Sequence, residues 1–168
     1  SDARRFAPMW DEPGVKAVFS LAVEAPDGQM AVSNMPVADS AGGRTVRFQD
    51  SPKMSSYLLF MALGDFERIH QQVGKTDIGV IVRKGDAEKG RFALDAAVRL
   101  LGYFNDYFDT PYPLPKLDLV AGPGNSQFFG AMENWGAIFY FDYVLLIDPK
   151  LSTEADRQAV FTVVAHEM

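Results

Sequence analysis

The spacing of apolar residues changes once along this chain, near residue 75, and that change limits the fold more than any other feature. Before it the pattern runs in twos. Phe19, Leu21 and Val23 alternate with Ser20, Ala22 and Glu24, as in a strand with one buried face. Pro26-Asp27-Gly28 predicts a turn and residues 30–34 a returning strand. Ala41-Gly42-Gly43 marks another turn, and residues 44–49 a strand with Val46 and Phe48 on one face. The unbroken apolar run over residues 57–63 predicts a strand buried on both faces. After the change, residues 78–82 form a short β-branched strand. Leu94, Val98, Leu101, Phe104 and Phe108 then recur at three or four residues, predicting a helix over about residues 88–109. Pro111 and Pro113 stop it. Residues 116–121, 138–141 and 144–147 predict three more strands. Thr153 with Asp156 approximates a capping box. Ser152 or Thr153 opens a last helix on which Val160, Val163, Val164 and Glu167 share a face. The chain therefore reads as α+β, a β-rich part over 1–74 joined to an α/β part over 75–168.

Composition narrows the functions open to it. Of 168 residues 48% are hydrophobic and 23% charged, which excludes a disordered or collagen-like chain. The 16 basic side chains are outnumbered by 22 acidic ones, a formal net charge of −6, so no basic face is expected for nucleic acid. No stretch approaches the roughly 18 apolar residues of a membrane span. Cysteine is absent, so neither disulfides nor a thiolate zinc site can form. The cellular compartment stays open.

Two short blocks carry candidate chemistry. His166-Glu167 lies late in the last predicted helix. In a His-Glu-x-x-His motif two imidazoles stand one turn apart on zinc, and the glutamate acts as general base. By itself a His-Glu pair is commonplace on a surface helix. The apolar lead-in Phe161-Thr162-Val163-Val164-Ala165 and the cost of burying Glu167 weigh toward a functional role. The second block is Gly130-Ala131-Met132-Glu133-Asn134, flanked by Phe128-Phe129 and Trp135-Gly136. Its small residues would let another backbone approach an extended edge, and a lone Glu133 could recognise a positive charge. The alternative is a glycine-rich loop with a solvated glutamate. His70, near Gln71-Gln72, has no ligand spacing and reads as solvated.

Taken together, the Gly-Ala-Met-Glu-Asn block followed by His-Glu on a helix resembles the aminopeptidase N-like family of zinc metallopeptidases. Asp2-Ala3-Arg4-Arg5, Trp10-Asp11-Glu12-Pro13 and Lys16-Ala17 agree with that family, as do Met54-Ser55-Ser56-Tyr57-Leu58-Leu59 and Ala62-Leu63-Gly64-Asp65-Phe66. The resemblance spans nearly the whole chain. It implies the end of a saddle-like β domain over residues 1–74 and the start of a thermolysin-like catalytic domain from residue 75. It also implies removal of single amino acids from the free N-terminus of peptides. Glu133 would bind the substrate ammonium, Gly130 and Ala131 would line its backbone, and Met132 and Asn134 would complete the block. Phe129 would border the pocket for the first side chain. His166 would be the first zinc ligand and Glu167 the general base. The clusters around Arg4 and Asp11 read as packing and hydrogen-bond supports.

Family members supply a second histidine four residues after the first, a glutamate on the next helix and a tyrosine for the tetrahedral intermediate. The sequence ends at Met168, so the remaining ligands are expected beyond it. The 168 residues alone are then expected to hold zinc poorly, to be inactive, and to self-associate through surfaces exposed by truncation. Two further readings keep the resemblance but change the function. One is a catalytically dead relative acting as an interaction module; the other is a relative that hydrolyses an epoxide.

Overall fold

The computed structural model describes residues 3–39 and 44–168, so Asp2 and the expected Ala41-Gly42-Gly43 turn lie outside the described residues. A short helix α1 (Ala3–Phe6) leads into seven short strands. These are β1 (Lys16–Ala17), β2 (Ala22–Glu24), β3 (Met30–Ser33), β4 (Val37–Asp39), β5 (Thr45–Phe48), β6 (Met54–Ser55) and β7 (Met61–Gly64). A 3₁₀ turn (Ser56–Leu58) separates the last two.

Pairing in this part is mostly non-local. β1 pairs with β6, β3 with β7, and β2, β5 and β4 form a separate sheet. The strand expected at residues 30–34 exists, but it does not return along its predecessor. Val32 stands opposite Ala62 of β7, while Val23 of β2 stands opposite Val46 of β5. The run over 57–63 also departs from expectation. It is a 3₁₀ turn followed by β7, with Tyr57 and Met61 each 36% exposed. Its apolar side chains line an open cleft, a use of hydrophobic surface that periodicity cannot distinguish from core.

The remainder forms one layered α/β unit. It contains β8 (Phe66–Val73), β9 (Thr76–Arg83), α2 (Ala87–Tyr107), β10 (Lys116–Gly122), β11 (Ala131–Met132), β12 (Ala137–Phe141), α3 (Asp142–Leu145) and α4 (Glu154–Glu167). The strands make a five-stranded sheet in the order β11-β12-β10-β9-β8. Its inner strands β9, β10 and β12 run parallel, and the two outer strands antiparallel. The change of period near residue 75 falls in the turn between β8 and β9, at Gly74 with φ +57°, inside this sheet.

Both faces of the sheet are covered, as a parallel sheet requires. Val80 and Leu119 pack with Leu94 and Leu101 of α2 and Val160 and Val164 of α4. The alternate residues Ile81 and Val120 pack on the opposite face with Val32 of β3 and Ala137. Helix α2 buries Leu94 and Leu101, with Val98 and Phe104 partly covered, whereas Phe108 lies past its end and is 64% exposed. Residues 144–147, expected as a strand, instead finish α3 and leave it, with Leu145 and Ile147 buried. Asp142 in the first turn favours that helix start, and so short an apolar run suits either structure. The capping box of α4 forms in full. Thr153 Oγ1 accepts from the Asp156 backbone N–H, and Asp156 Oδ2 accepts from the Thr153 N–H. Among the described residues no helix is long and apolar enough to cross a membrane.

Candidate active site

Among the described residues strand β11 is the edge of the five-stranded sheet, joined to β12 through Ala131 opposite Tyr140 and Met132 opposite Phe139. Its free edge borders a cleft of about 1220 Å³. Phe129, Gly130, Ala131, Met132 and Glu133 line one side. Tyr57, Leu59, Phe60 and Met61 of the β-rich part line another, and His166 and Glu167 enter from the last turn of α4. The structure therefore brings both chemical blocks of the sequence into one cavity. Asn134 stands apart from them. It is buried behind the wall, with Nδ2 donating to the backbone carbonyls of Leu58 (3.3 Å) and Tyr57 (3.5 Å).

Local sequence explains the shape of this wall. At Gly130 a Cβ would press on Val144 Cγ1 at 3.2 Å, while the Gly130 carbonyl accepts from the Phe141 N–H at 3.0 Å. The chain then turns at residues 133–136, where Asn134 N–H donates to Met132 O and Ala137 N–H to Asn134 O. Gly136 closes the turn with φ +73°, and a Cβ there would collide with the Asn34 carbonyl oxygen. Only glycine satisfies both the torsion and the close approach. Phe129 packs its ring on Phe141 at 5.7 Å between centroids, giving this end of the cleft an aromatic border.

Charge is concentrated at the junction of the two blocks. Burial pushes the Glu167 carboxyl above its ordinary value; the nearby Glu133 charge adds to that effect and His166 opposes it. Tyr140 is wholly buried, and its hydroxyl has no hydrogen-bond partner among the described residues. Burial, and then the charge of Glu167, drive that phenol well above its usual range.

Behind the wall lies a charged chain that sequence patterning missed. Lys116 Nζ donates to the Gly136 carbonyl at 2.6 Å and pairs with Asp118 Oδ2 at 2.8 Å. Asp118 Oδ1 in turn accepts from Arg68 Nε at 2.7 Å, and Arg68 Nη1 reaches Asp77 Oδ2 at 2.9 Å. His70 ends the chain. Its Nδ1 lies 2.9 Å from Asp77 Oδ1, so the residue expected to be merely solvated is a hydrogen-bond partner as well as being exposed. Burial alone would raise the Asp77 carboxyl, but hydrogen bonds from His70 and Arg68 outweigh it and hold it below the usual range. The available signal was polarity inside an apolar strand: Lys116 and Asp118 sit in β10, where every residue is buried.

His166 is one imidazole donor with Glu167 beside it. Among the described residues no group of three histidine, cysteine, aspartate or glutamate side chains could hold a metal ion.

Residues 1–58 match the Peptidase M1 N-terminal domain, and residues 92–168, which include Phe129–Asn134, His166 and Glu167, match the Peptidase family M1 domain. The chain is 48% identical over its whole length to aminopeptidase N of Acetobacter pasteurianus, covering 48% of that protein. It is 45% identical to aminopeptidase M1-B of Oryza sativa subsp. japonica, again over its whole length, and covers 19% of it. Over 99% of its length it is 43% identical to probable aminopeptidase 2 of Sulfurisphaera tokodaii, of which it covers 21%. The chain thus spans about half the bacterial relative and about a fifth of the other two. With both M1 domain types matched in order and this chain aligned along its whole length to M1 relatives, the chain belongs to peptidase family M1.

Proposed function

We propose that these residues form the substrate-gripping half of the active site of a zinc-dependent aminopeptidase, which removes single amino acids from the free N-terminus of peptides. The observation that carries this reading is the sharing of one cleft by Glu133, beside the open strand edge, and His166-Glu167, at the end of α4. An extended peptide can add its backbone to the free edge of β11, with Gly130 and Ala131 leaving room for it. Glu133 then holds the substrate ammonium, so the scissile bond lies one residue from the point of anchorage. Phe129 borders the first side chain with an aromatic surface. Glu167, whose carboxyl burial raises above its ordinary value, takes the proton of the attacking water. Zinc enters through the resemblance. His166 would be one of its ligands, the others coming from outside the described residues, and the ion would lower the pKa of the attacking water.

The fold reading follows the same resemblance. The β-rich part is taken as the end of a saddle-like domain and the layered sheet as the start of a thermolysin-like one. Their division is taken near residue 75, where the period changes.

Steady-state kinetics of the intact protein on an aminoacyl anilide and its N-acetyl analogue tests the assignment. Glu167→Gln should lower kcat by roughly 10²–10⁴ with little change in KM. Glu133→Ala should raise KM by roughly tenfold to a hundredfold, the worth of a charged hydrogen bond, and erase the preference for a free amine. Dialysis against a chelator should abolish turnover and zinc should restore it. Undiminished cleavage by Glu167→Gln would remove the general base from the scheme. A folded intact protein with no turnover would favour the interaction-module reading.

A further inference from the structure

From the β-rich part, the side chain of Asn34 reaches the turn that carries Glu133. This residue follows β3 and is 2% exposed. Both of its N–H donors and its oxygen are engaged. Nδ2 donates to the Trp135 carbonyl and to the Leu58 carbonyl, both at 2.8 Å, and Oδ1 accepts from the Phe60 N–H at 2.9 Å. Carbonyl oxygens can only accept, so the orientation of the amide is fixed by its partners. Trp135 lies two residues after Glu133, while Leu58 and Phe60 bracket Leu59, which lines the cleft from the β-rich part. The backbone carbonyl of Asn34 also occupies the space that a Cβ at Gly136 would need. Asn34 therefore touches both walls at once. The neighbouring bonds reinforce it: Ser33 Oγ donates to Phe60 O at 2.8 Å, and Asn134 Nδ2 reaches Leu58 O at 3.3 Å from the far side.

We propose that Asn34 is a positioning residue for amine recognition, which clamps the Glu133–Gly136 turn to the 58–60 segment and so fixes where the Glu133 carboxylate stands relative to Glu167. The inference rests on the assignment of Glu133 to the substrate ammonium and adds the device that places it. No other amino acid can supply two donors and one acceptor at this reach. Aspartate keeps the volume and the bond from Phe60 but turns an oxygen toward two carbonyls. Alanine removes all three bonds. Displacing a carboxylate from its target weakens binding more than the proton transfer performed elsewhere, so the effect should fall on KM more than on kcat.

A double-mutant cycle in the intact protein decides the matter. Asn34→Ala and Asn34→Asp are each measured in the wild-type and Glu133→Ala backgrounds on the aminoacyl anilide. In the wild-type background kcat/KM should fall roughly tenfold, mostly through KM, with a smaller preference over the N-acetyl analogue. In the Glu133→Ala background the same substitutions should cost less than about twofold, because the group they position is gone. Equal losses in both backgrounds, or no loss in either, would overturn the proposal and leave Asn34 a support of the fold alone. If Glu133→Ala by itself preserves the free-amine preference, the assignment of Glu133 fails first, and that single variant reveals it. Asn34→Asp keeps the experiment decisive where Asn34→Ala does not fold.

Discussion

Two buried polar side chains near the cleft have opposite relations to their surroundings, and substitutions should expose the contrast. Lys116 is almost wholly buried; burial lowers its pKa and the charge of Asp118 opposes that. Its Nζ is satisfied by Asp118 Oδ2 and the Gly136 carbonyl. Lys116→Met keeps most of the stem but leaves Asp118 facing Arg68 alone and strips a donor from the turn after Glu133. The expected loss is about 3 kcal/mol, the lower end of what breaking a buried pair costs, since Arg68 remains. The Tyr140 hydroxyl, by contrast, is buried with no partner among the described residues. Tyr140→Phe removes an unsatisfied group without leaving another, so stability should stay within about 1 kcal/mol of the parent or rise. Urea unfolding of the intact protein measures both. A loss above about 2 kcal/mol for Tyr140→Phe would show that the hydroxyl is bonded. Neither residue's part was legible in the sequence. Lys116 and Asp118 occupy the polar positions of an apparently alternating strand, which normally face water. Here they face a layer formed by residues far earlier in the chain, and periodicity carries no information about that layer.

At the scale of elements, what was legible is what local chemistry decides. Helix α4 announces itself through Thr153 and Asp156, three residues apart, and its full capping box follows from side chains bonding their own backbone. The stripe of α2 is equally local. The 57–63 run and residues 144–147 were misread because an apolar stretch of four to seven residues suits a strand, a turn or a helix end, and only distant partners choose among them. The cap of α4 should also give stability a dependence on pH. Hydrogen bonds from the Thr153 backbone and side chain hold the Asp156 carboxyl below its ordinary value of 3.8. A carboxyl with a depressed native pKa contributes fully above its unfolded value and loses that contribution as pH falls through the native one. Relative to Asp156→Asn, the parent should therefore be more stable by a constant margin above about pH 5, and the margin should shrink below about pH 4. Denaturant midpoints for both proteins across that range provide the measurement. A margin that grew on acidification would contradict the capping geometry.

The molecule as a whole is organised by the two faces of one sheet. Helices α2 and α4 cover the first face, and the second is covered by β3, which belongs to the β-rich part. The candidate site lies at the seam between these layers: Glu133 and His166-Glu167 come from the layered unit, while Tyr57, Phe60 and Met61 come from the opposing part. The two motifs were readable in sequence because each is short and contiguous; their convergence, and the Asn34 clamp across the seam, depend on the tertiary layering. That layering predicts how a core defect should spread. Ile81 is 1% exposed, lies on central strand β9, and packs in one cluster with Val32 of β3, Val120 and Ala137. Ile81→Ala should cost about 2–5 kcal/mol through lost burial and the cavity left behind. If the β-rich part is held to the sheet through this cluster, amides of β3 and β7 should lose hydrogen-exchange protection together with those of β9, although β7 is not a sheet neighbour of β9. Mass-spectrometric exchange on the intact variant distinguishes the outcomes. Deprotection confined to β8, β9 and β10 would mean that the two layers open independently. Coupled deprotection would mean that the cleft owes its width to the same packing that stabilises the sheet, so that one apolar substitution far from Glu133 loosens both walls at once.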